Sequence, residues 1–196
     1  MIFKNTTLKN NLQKLSHKNK EILDIVLFGS AVRGKKDPKD IDILVLFQEK
    51  IDKTIEYHIR KELEKYYSNI SVISKTTKTV LDDAFDARES VLFEAISLLT
   101  GKNLAQQYGF SSFGCFKYTF GIWTKLQKTK FYHALNGRTQ EGIAQKIHCI
   151  KLSDNVMLVP LEHIEEFRSF LNYWKITYIY IPLIIPARLA RKSILG

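Results

Sequence analysis

Asp40 and Asp42 stand two residues apart at the head of an apolar run, residues 43–47. On a β-strand side chains alternate with period two, so both carboxylates project from one face, a few ångströms apart. Two carboxylates that close repel each other unless a cation sits between them. Oxygen ligands of this hardness suit Mg²⁺ or Mn²⁺. Upstream, another apolar run ends in Gly29-Ser30. Glycine lets the backbone approach a ligand closely, and a serine there can cap a short helix whose free N–H groups face an anion. A polar, basic loop with Arg33, Lys35 and Lys36 lies between the two runs. A phosphate cradle on one side and a metal pair on the other together describe a site for a nucleoside triphosphate.

These residues must be positioned by regular elements, and the flanking periodicity supplies them. Leu8, Leu12 and Leu15 recur at helical spacing, with Thr6 or Thr7 as the N-cap. Residues 21–28 read as a buried strand that leads into Gly29. Ile51, Ile55, Ile59, Leu63 and Tyr67 recur every four residues, which predicts a helix after the Asp strand. Residues 70–74 read as a short third strand. The pattern of Leu81, Phe85, Leu92, Ala95, Ile96 and Leu99 predicts one long helix over residues 79–100. Asp82, Asp83 and Asp86 would then sit in its first turns, where the helix dipole favours negative charge, and Gly101 would close it.

Gly29-Ser30, a loop, and Asp40-x-Asp42 on a strand together resemble the signature of the DNA polymerase β nucleotidyltransferase superfamily. The similarity is greatest to its minimal nucleotidyltransferase group, whose loop commonly carries an Arg-Gly like Arg33-Gly34. The resemblance implies a mixed-sheet fold over the first hundred or so residues. It also implies transfer of a nucleoside monophosphate from an NTP to a hydroxyl or phosphate acceptor. By the same resemblance, Asp40 and Asp42 are the catalytic and metal residues, holding Mg²⁺ or Mn²⁺ against the β- and γ-phosphates. Gly29 and Ser30 contact the terminal phosphates, and Arg33 neutralises phosphate charge. Active members take a third carboxylate from the third strand. Here residues 69–74 read Asn-Ile-Ser-Val-Ile-Ser, with no acid. Ser71 occupies the expected position by register, with Ser74 as the second candidate. A hydroxyl cannot take a proton from an attacking hydroxyl at neutral pH. Asp82 and Asp83 follow the strand as substitutes, or serve only as helix-start charges.

The 196-residue chain is 45% hydrophobic, long enough for one large or two small domains and too apolar for wholesale disorder. A net charge of +10 points to an anionic partner. Cys115 and Cys149 form no C-x-x-C and have no metal spacing, which suits a reducing compartment. The polar N-terminus lacks a secretory apolar segment, and the longest apolar run, residues 176–185, is interrupted by Pro182 and short of a bilayer span. These features predict a cytoplasmic protein with no membrane association.

The second half reads as a separate module, giving domains 1–105 and 106–196. Over residues 110–153 the lone acid is Glu141, against Lys117, Lys125, Lys128, Lys130, Arg138, Lys146 and Lys151. Aromatic residues interleave: Phe113, Phe116, Tyr118, Phe120, Trp123, Phe131 and Tyr132. Basic groups hold phosphates and aromatic faces stack bases, while the same aromatics also serve as ordinary core. Thr124 caps a predicted helix over residues 125–135, with Leu126, Phe131 and Leu135 facing inward and Gly137 ending it. A hairpin around Ser153-Asp154-Asn155, a helix over residues 161–174 and a strand over 176–185 complete a small ββαβ layer. The tail carries Arg188, Arg191 and Lys192 and offers a basic arm. No specific family is recognised in this half, so its expected role rests on charge alone.

The predicted fold is therefore α/β, of the α+β kind: a mixed-sheet nucleotidyltransferase domain followed by a small α+β domain. The predicted function is metal-dependent transfer of an NMP from an NTP to a nucleic-acid or protein acceptor. The alternatives are a degenerate domain that binds nucleotide or nucleic acid without turnover, and an antitoxin-like protein that binds a protein partner.

Overall fold

The computed structural model describes residues 5–33 and 40–190, which form two compact units divided between Tyr108 and Gly109. Gly34, Lys35, Lys36, Arg191 and Lys192 lie outside the described residues. No described helix is long and apolar enough to cross a membrane.

The first unit begins with helix α1 (Thr6–Lys18), capped by Asn5 rather than by either threonine. The Asn5 side chain accepts the Leu8 N–H at 3.0 Å. Strands β1 (Ile22–Phe28) and β2 (Ile41–Phe47) pair antiparallel, with Phe28 opposite Asp42. Helix α2 (Lys53–Glu64) then carries the chain back so that β3 (Ile70–Thr76) runs parallel to β2. A parallel neighbour requires such a crossover. The short strand β4 (Ile96–Ser97) closes a mixed sheet in the order β3-β2-β1-β4.

Both faces of this sheet are covered, which is why β2 is apolar almost without alternation. On one face Ile25, Leu27, Ile43 and Val45 are buried, as are Leu8 and Leu12 of α1 and Ile59 and Leu63 of α2. On the other, Val26, Phe28 and Leu44 pack with Phe85, Val91 and Ala95.

The long helix expected over residues 79–100 is not formed. Residues 77–87 are turns, helix α3 spans only Arg88–Glu94, and β4 follows at once. Apolar spacing suited a helix, but pairing of Ile96 and Ser97 with β1 overrides it. Leu81 and Leu92, expected inside, are exposed. The first unit ends in the four-residue helix α4 (Leu104–Gln107).

The second unit is an antiparallel sheet, order β6-β7-β5-β8, backed by helices. Strand β5 (Phe110–Thr119) is not among the predicted elements; its aromatics Phe113, Phe116 and Tyr118, which the sequence leaves open to a core or a base-stacking role, are buried. It pairs along its whole length with β8 (Thr177–Pro186). Helix α5 (Lys125–Asn136) starts at Thr124 with a full capping box, as its sequence predicts. Helix α6 (Ile143–Lys146) leads to the hairpin β6 (Ile150–Ser153) and β7 (Val156–Pro160). A 3-10 turn at Leu161–His163 leads into helix α7 (Ile164–Tyr173).

The aromatics hold the core of this unit together. Phe116 meets Phe167 edge-on with centroids 5.1 Å apart, and Tyr118 meets Phe131 at 5.6 Å. Phe116, Tyr118, Phe131 and Phe167 are fully buried. Leu126, expected to join them, is exposed. Burial pushes the Cys149 thiol up to about 12, so it is an inert core residue.

Candidate active site

The candidate site sits where β1 and β2 deliver their ends together. Gly29 follows β1 directly, with φ +81°, a left-handed conformation that costs glycine little and other residues more. A Cβ built at Gly29 would lie 2.8 Å from Oδ2 of Asp42. The glycine is therefore required twice, for its backbone angle and for the room it leaves beside the carboxylate.

Asp42 is half-buried, and burial raises its pKa; the charge of exposed Asp40 raises it further. The structure thus places the two predicted aspartates close enough for the charge of Asp40 to act on Asp42. This donor set fits a hard divalent ion. If one is bound, it supplies positive charge against triphosphate oxygens. Among the described residues no group of three or more His, Cys, Asp or Glu side chains is gathered to hold a metal.

The parallel register of β2 and β3 resolves the question of the third position. Asp42 lies opposite Ser71, so both side chains share a face. Ser74 lies opposite Val45, on the other face. Asp82 and Asp83 do not substitute. The Asp82 carboxylate accepts the Ala84 N–H at 2.9 Å, and Asp83 is paired with Arg88. Neither stands in a helix.

Ser30 begins a turn rather than a helix within the described residues, closed by Val32 N–H to Gly29 O at 3.1 Å. Arg33, at the end of that turn, donates from Nη1 to both oxygens of Glu94, at 2.7 and 2.6 Å. Glu94 also accepts the Gly29 N–H at 2.9 Å. At 1% exposure it is effectively buried.

Burial raises the Glu94 pKa, while Arg33 and the Gly29 N–H act the other way and Asp42 adds a small upward push. A buried charge survives when it is paired and hydrogen-bonded, and removing one partner strands the other. Glu94 thus ties the two loop residues, Gly29 and Arg33, to the end of α3. Sequence reasoning missed it. Its signal was present: an acid inside the apolar run Val91-Leu92-Phe93-Glu94-Ala95-Ile96 is a charge that must find a partner.

The first unit also carries a likeness to a known family. Residues 10–96 match the family described as Polymerase beta, Nucleotidyltransferase. That segment, under half of the chain, is similar to polymerase β-type nucleotidyltransferase domains.

No curated protein matches the chain. Among solved structures, similarity is found to a crystal structure of the toxin–antitoxin MntA-HpeT mutant. Identity is 19%, 51% of this chain and 78% of that one are covered, and the TM-score is 0.37. A toxin–antitoxin structure with AMP-PNP is similar at 20% identity, 51% and 78% coverage and TM-score 0.36. So is a tri-AMPylated Shewanella oneidensis HEPN toxin in complex with MNT antitoxin, at 20% identity, 52% and 76% coverage and TM-score 0.32. The nucleotidyltransferase match ends at Ile96 and leaves the second unit outside it.

Proposed function

We propose that the nucleotidyltransferase domain transfers a nucleoside monophosphate from an NTP, with Mg²⁺ or Mn²⁺, to a nucleic-acid or protein acceptor. The observation that carries this reading is the close approach of Gly29 to Asp42, with Asp40 near enough to raise the Asp42 pKa. A carboxylate pair kept in mutual repulsion is costly for a fold and useful to a cation site. In this reading Asp40 and Asp42 hold the metal, Gly29 and Ser30 face the terminal phosphates, and Arg33, braced by Glu94, offsets phosphate charge.

The acceptor oxygen bonds the α-phosphorus, the bond to the α–β bridging oxygen breaks, and pyrophosphate leaves. Ser71 beside Asp42 is no base at neutral pH, so the acceptor proton passes to a substrate phosphate oxygen. The basic second unit holds the acceptor. Its twelve Lys and Arg against five Asp and Glu favour a nucleic acid.

Ser71 in the register position of Asp42 favours a second reading, a domain that binds NTP without turnover. One experiment separates the two. Each α-labelled NTP is incubated with the protein and Mg²⁺ or Mn²⁺, with RNA, DNA or protein as acceptor, beside Asp40→Asn/Asp42→Asn. Label transfer that disappears in the folded double variant supports the transferase. NTP binding without transfer supports the second reading. Metal-dependent NTP affinity unchanged in the double variant overturns the site.

A further inference from the structure

The second unit contains a cleft of about 400 Å³ lined by Trp123, Gln127, Lys130, Tyr173, Trp174 and Lys175. It combines three aromatic rings with two ammonium groups and has no acidic residue in its lining. Both tryptophans of the chain are there. Their rings are held in place from behind. Trp123 contacts Phe120 at 5.6 Å and Trp174 at 6.3 Å, and Trp174 meets Phe131 at 5.8 Å. In front of this wall Tyr173 is 81% exposed. A large aromatic left in water beside two half-buried tryptophans is a surface prepared for another flat ring.

The backbone at the end of α7 fixes where Lys175 stands. Helix α7 ends in a Schellman motif: Lys175 N–H donates to Asn172 O and Ile176 N–H to Leu171 O, each at 2.9 Å. That motif places its terminating residue in the left-handed region, and glycine is the usual occupant. Here the residue is Lys175, at φ 53°. His148 ends α6 in the same way at φ 55°, and at Lys175 the motif places a lysine whose side chain lines the cleft.

We propose that this cleft binds single-stranded nucleic acid. An unstacked base lies on the exposed Tyr173 ring with its edge toward Trp123 and Trp174, and the adjoining phosphates meet Lys130 and Lys175. The chemistry is sequence-tolerant, because every base has a π-face. It favours a single strand over a duplex, whose bases are already stacked. The inference rests on the nucleic-acid reading of the second unit and names where in that unit the strand binds. The aromatics buried around Tyr118 and Phe116 are core and present no face to a base.

The two tryptophans make the test direct. The full-length protein is titrated with labelled oligonucleotides of about twelve nucleotides, single-stranded and duplex, following both label anisotropy and tryptophan emission. The variants are Tyr173→Ala, Lys130→Gln and Lys175→Gly, with Lys20→Gln/Lys78→Gln as a charge control in the first unit. Binding of the single strand should quench tryptophan emission. Tyr173→Ala should weaken it about tenfold, the scale of one lost stacked base. Lys175→Gly should weaken binding while its melting temperature holds or rises, a split that a purely structural lysine would not produce.

Binding without tryptophan quenching overturns the cleft and leaves the nucleic-acid reading standing. Equal weakening by cleft variants and charge control does the same. Quenching by polyglutamate but not by an oligonucleotide overturns it in favour of an acidic protein partner. Absence of oligonucleotide binding overturns both the cleft and the nucleic-acid reading.

Discussion

Four residues, Gly29, Asp42, Ser71 and Glu94, decide what the candidate site can do. Asp42 needs Gly29, because any side chain there would press on its Oδ2. Gly29 in turn needs Glu94, which takes its N–H and anchors Arg33 through the same carboxylate. Ser71 is where the chemistry is weakest, since it sits opposite Asp42 and cannot act as a base. That position is exposed and half-polar, so it tolerates substitution. Ser71→Asp should restore a proton acceptor beside Asp42 and raise transfer by about a hundredfold, the lower range for general-base catalysis. Single-turnover transfer rates at saturating Mg²⁺–NTP check this. An unchanged rate would show that proton removal does not limit the reaction.

At the scale of elements, the edge strand β4 is held by one buried polar cluster rather than by length. Ser97 Oγ donates to Asp24 Oδ1 of β1 at 2.7 Å and accepts the Leu99 and Thr100 N–H groups. The Ile25 N–H also reaches Asp24 Oδ1, at 2.8 Å. This clasp explains why a two-residue strand persists where apolar spacing suggested a helix. Burial raises the Asp24 pKa above its ordinary 3.8, although hydrogen bonds from Ser97, Ile25 and Gln107 oppose the shift.

The sign of the consequence follows from linkage. A carboxyl with a raised folded-state pKa contributes fully to stability below 3.8, and that contribution is lost as pH rises through the folded value. Asp24→Asn keeps an oxygen acceptor and carries no titrating charge. Its melting temperature should therefore gain on the natural protein as pH is raised from about 3.5 toward 7. A difference that stays flat across that range would show that Asp24 titrates as it does unfolded.

For the whole molecule, charge and chemistry are divided between the two units. The candidate transfer residues all lie before Tyr108, and the aromatic cleft lies after Gly109. Sites that share no partners respond to mutation nearly additively. Asp40→Asn/Asp42→Asn should thus remove Mg²⁺–NTP binding and leave oligonucleotide affinity within about twofold. Affinity of the intact protein for the oligonucleotide should fall steeply as salt is raised, because bound lysines displace counterions. Anisotropy titrations at several salt concentrations measure both effects. Salt-independent binding would remove the electrostatic account of the second unit.

The sequence by itself determined the features that are local or periodic. Asp42 takes its place from the strand period of β2, and Thr124 with Gln127 needs only one helical turn to form its capping box. The apolar repeats of α1 and α2 sufficed for the same reason. What depended on distant residues was decided by the tertiary structure. Residues 96–97 left a helical pattern because β1 offered an unpaired edge. Strand β5 escaped notice because it is fixed by its pairing with β8, far along the chain, and by contacts of its aromatics with α5 and α7. Glu94 became a site residue only when folding carried it 61 positions back to Arg33. The cleft likewise joins Trp123 of one segment to Trp174 and Lys175 of another. Local rules fix which groups a segment can offer, and long-range burial chooses which of them meet.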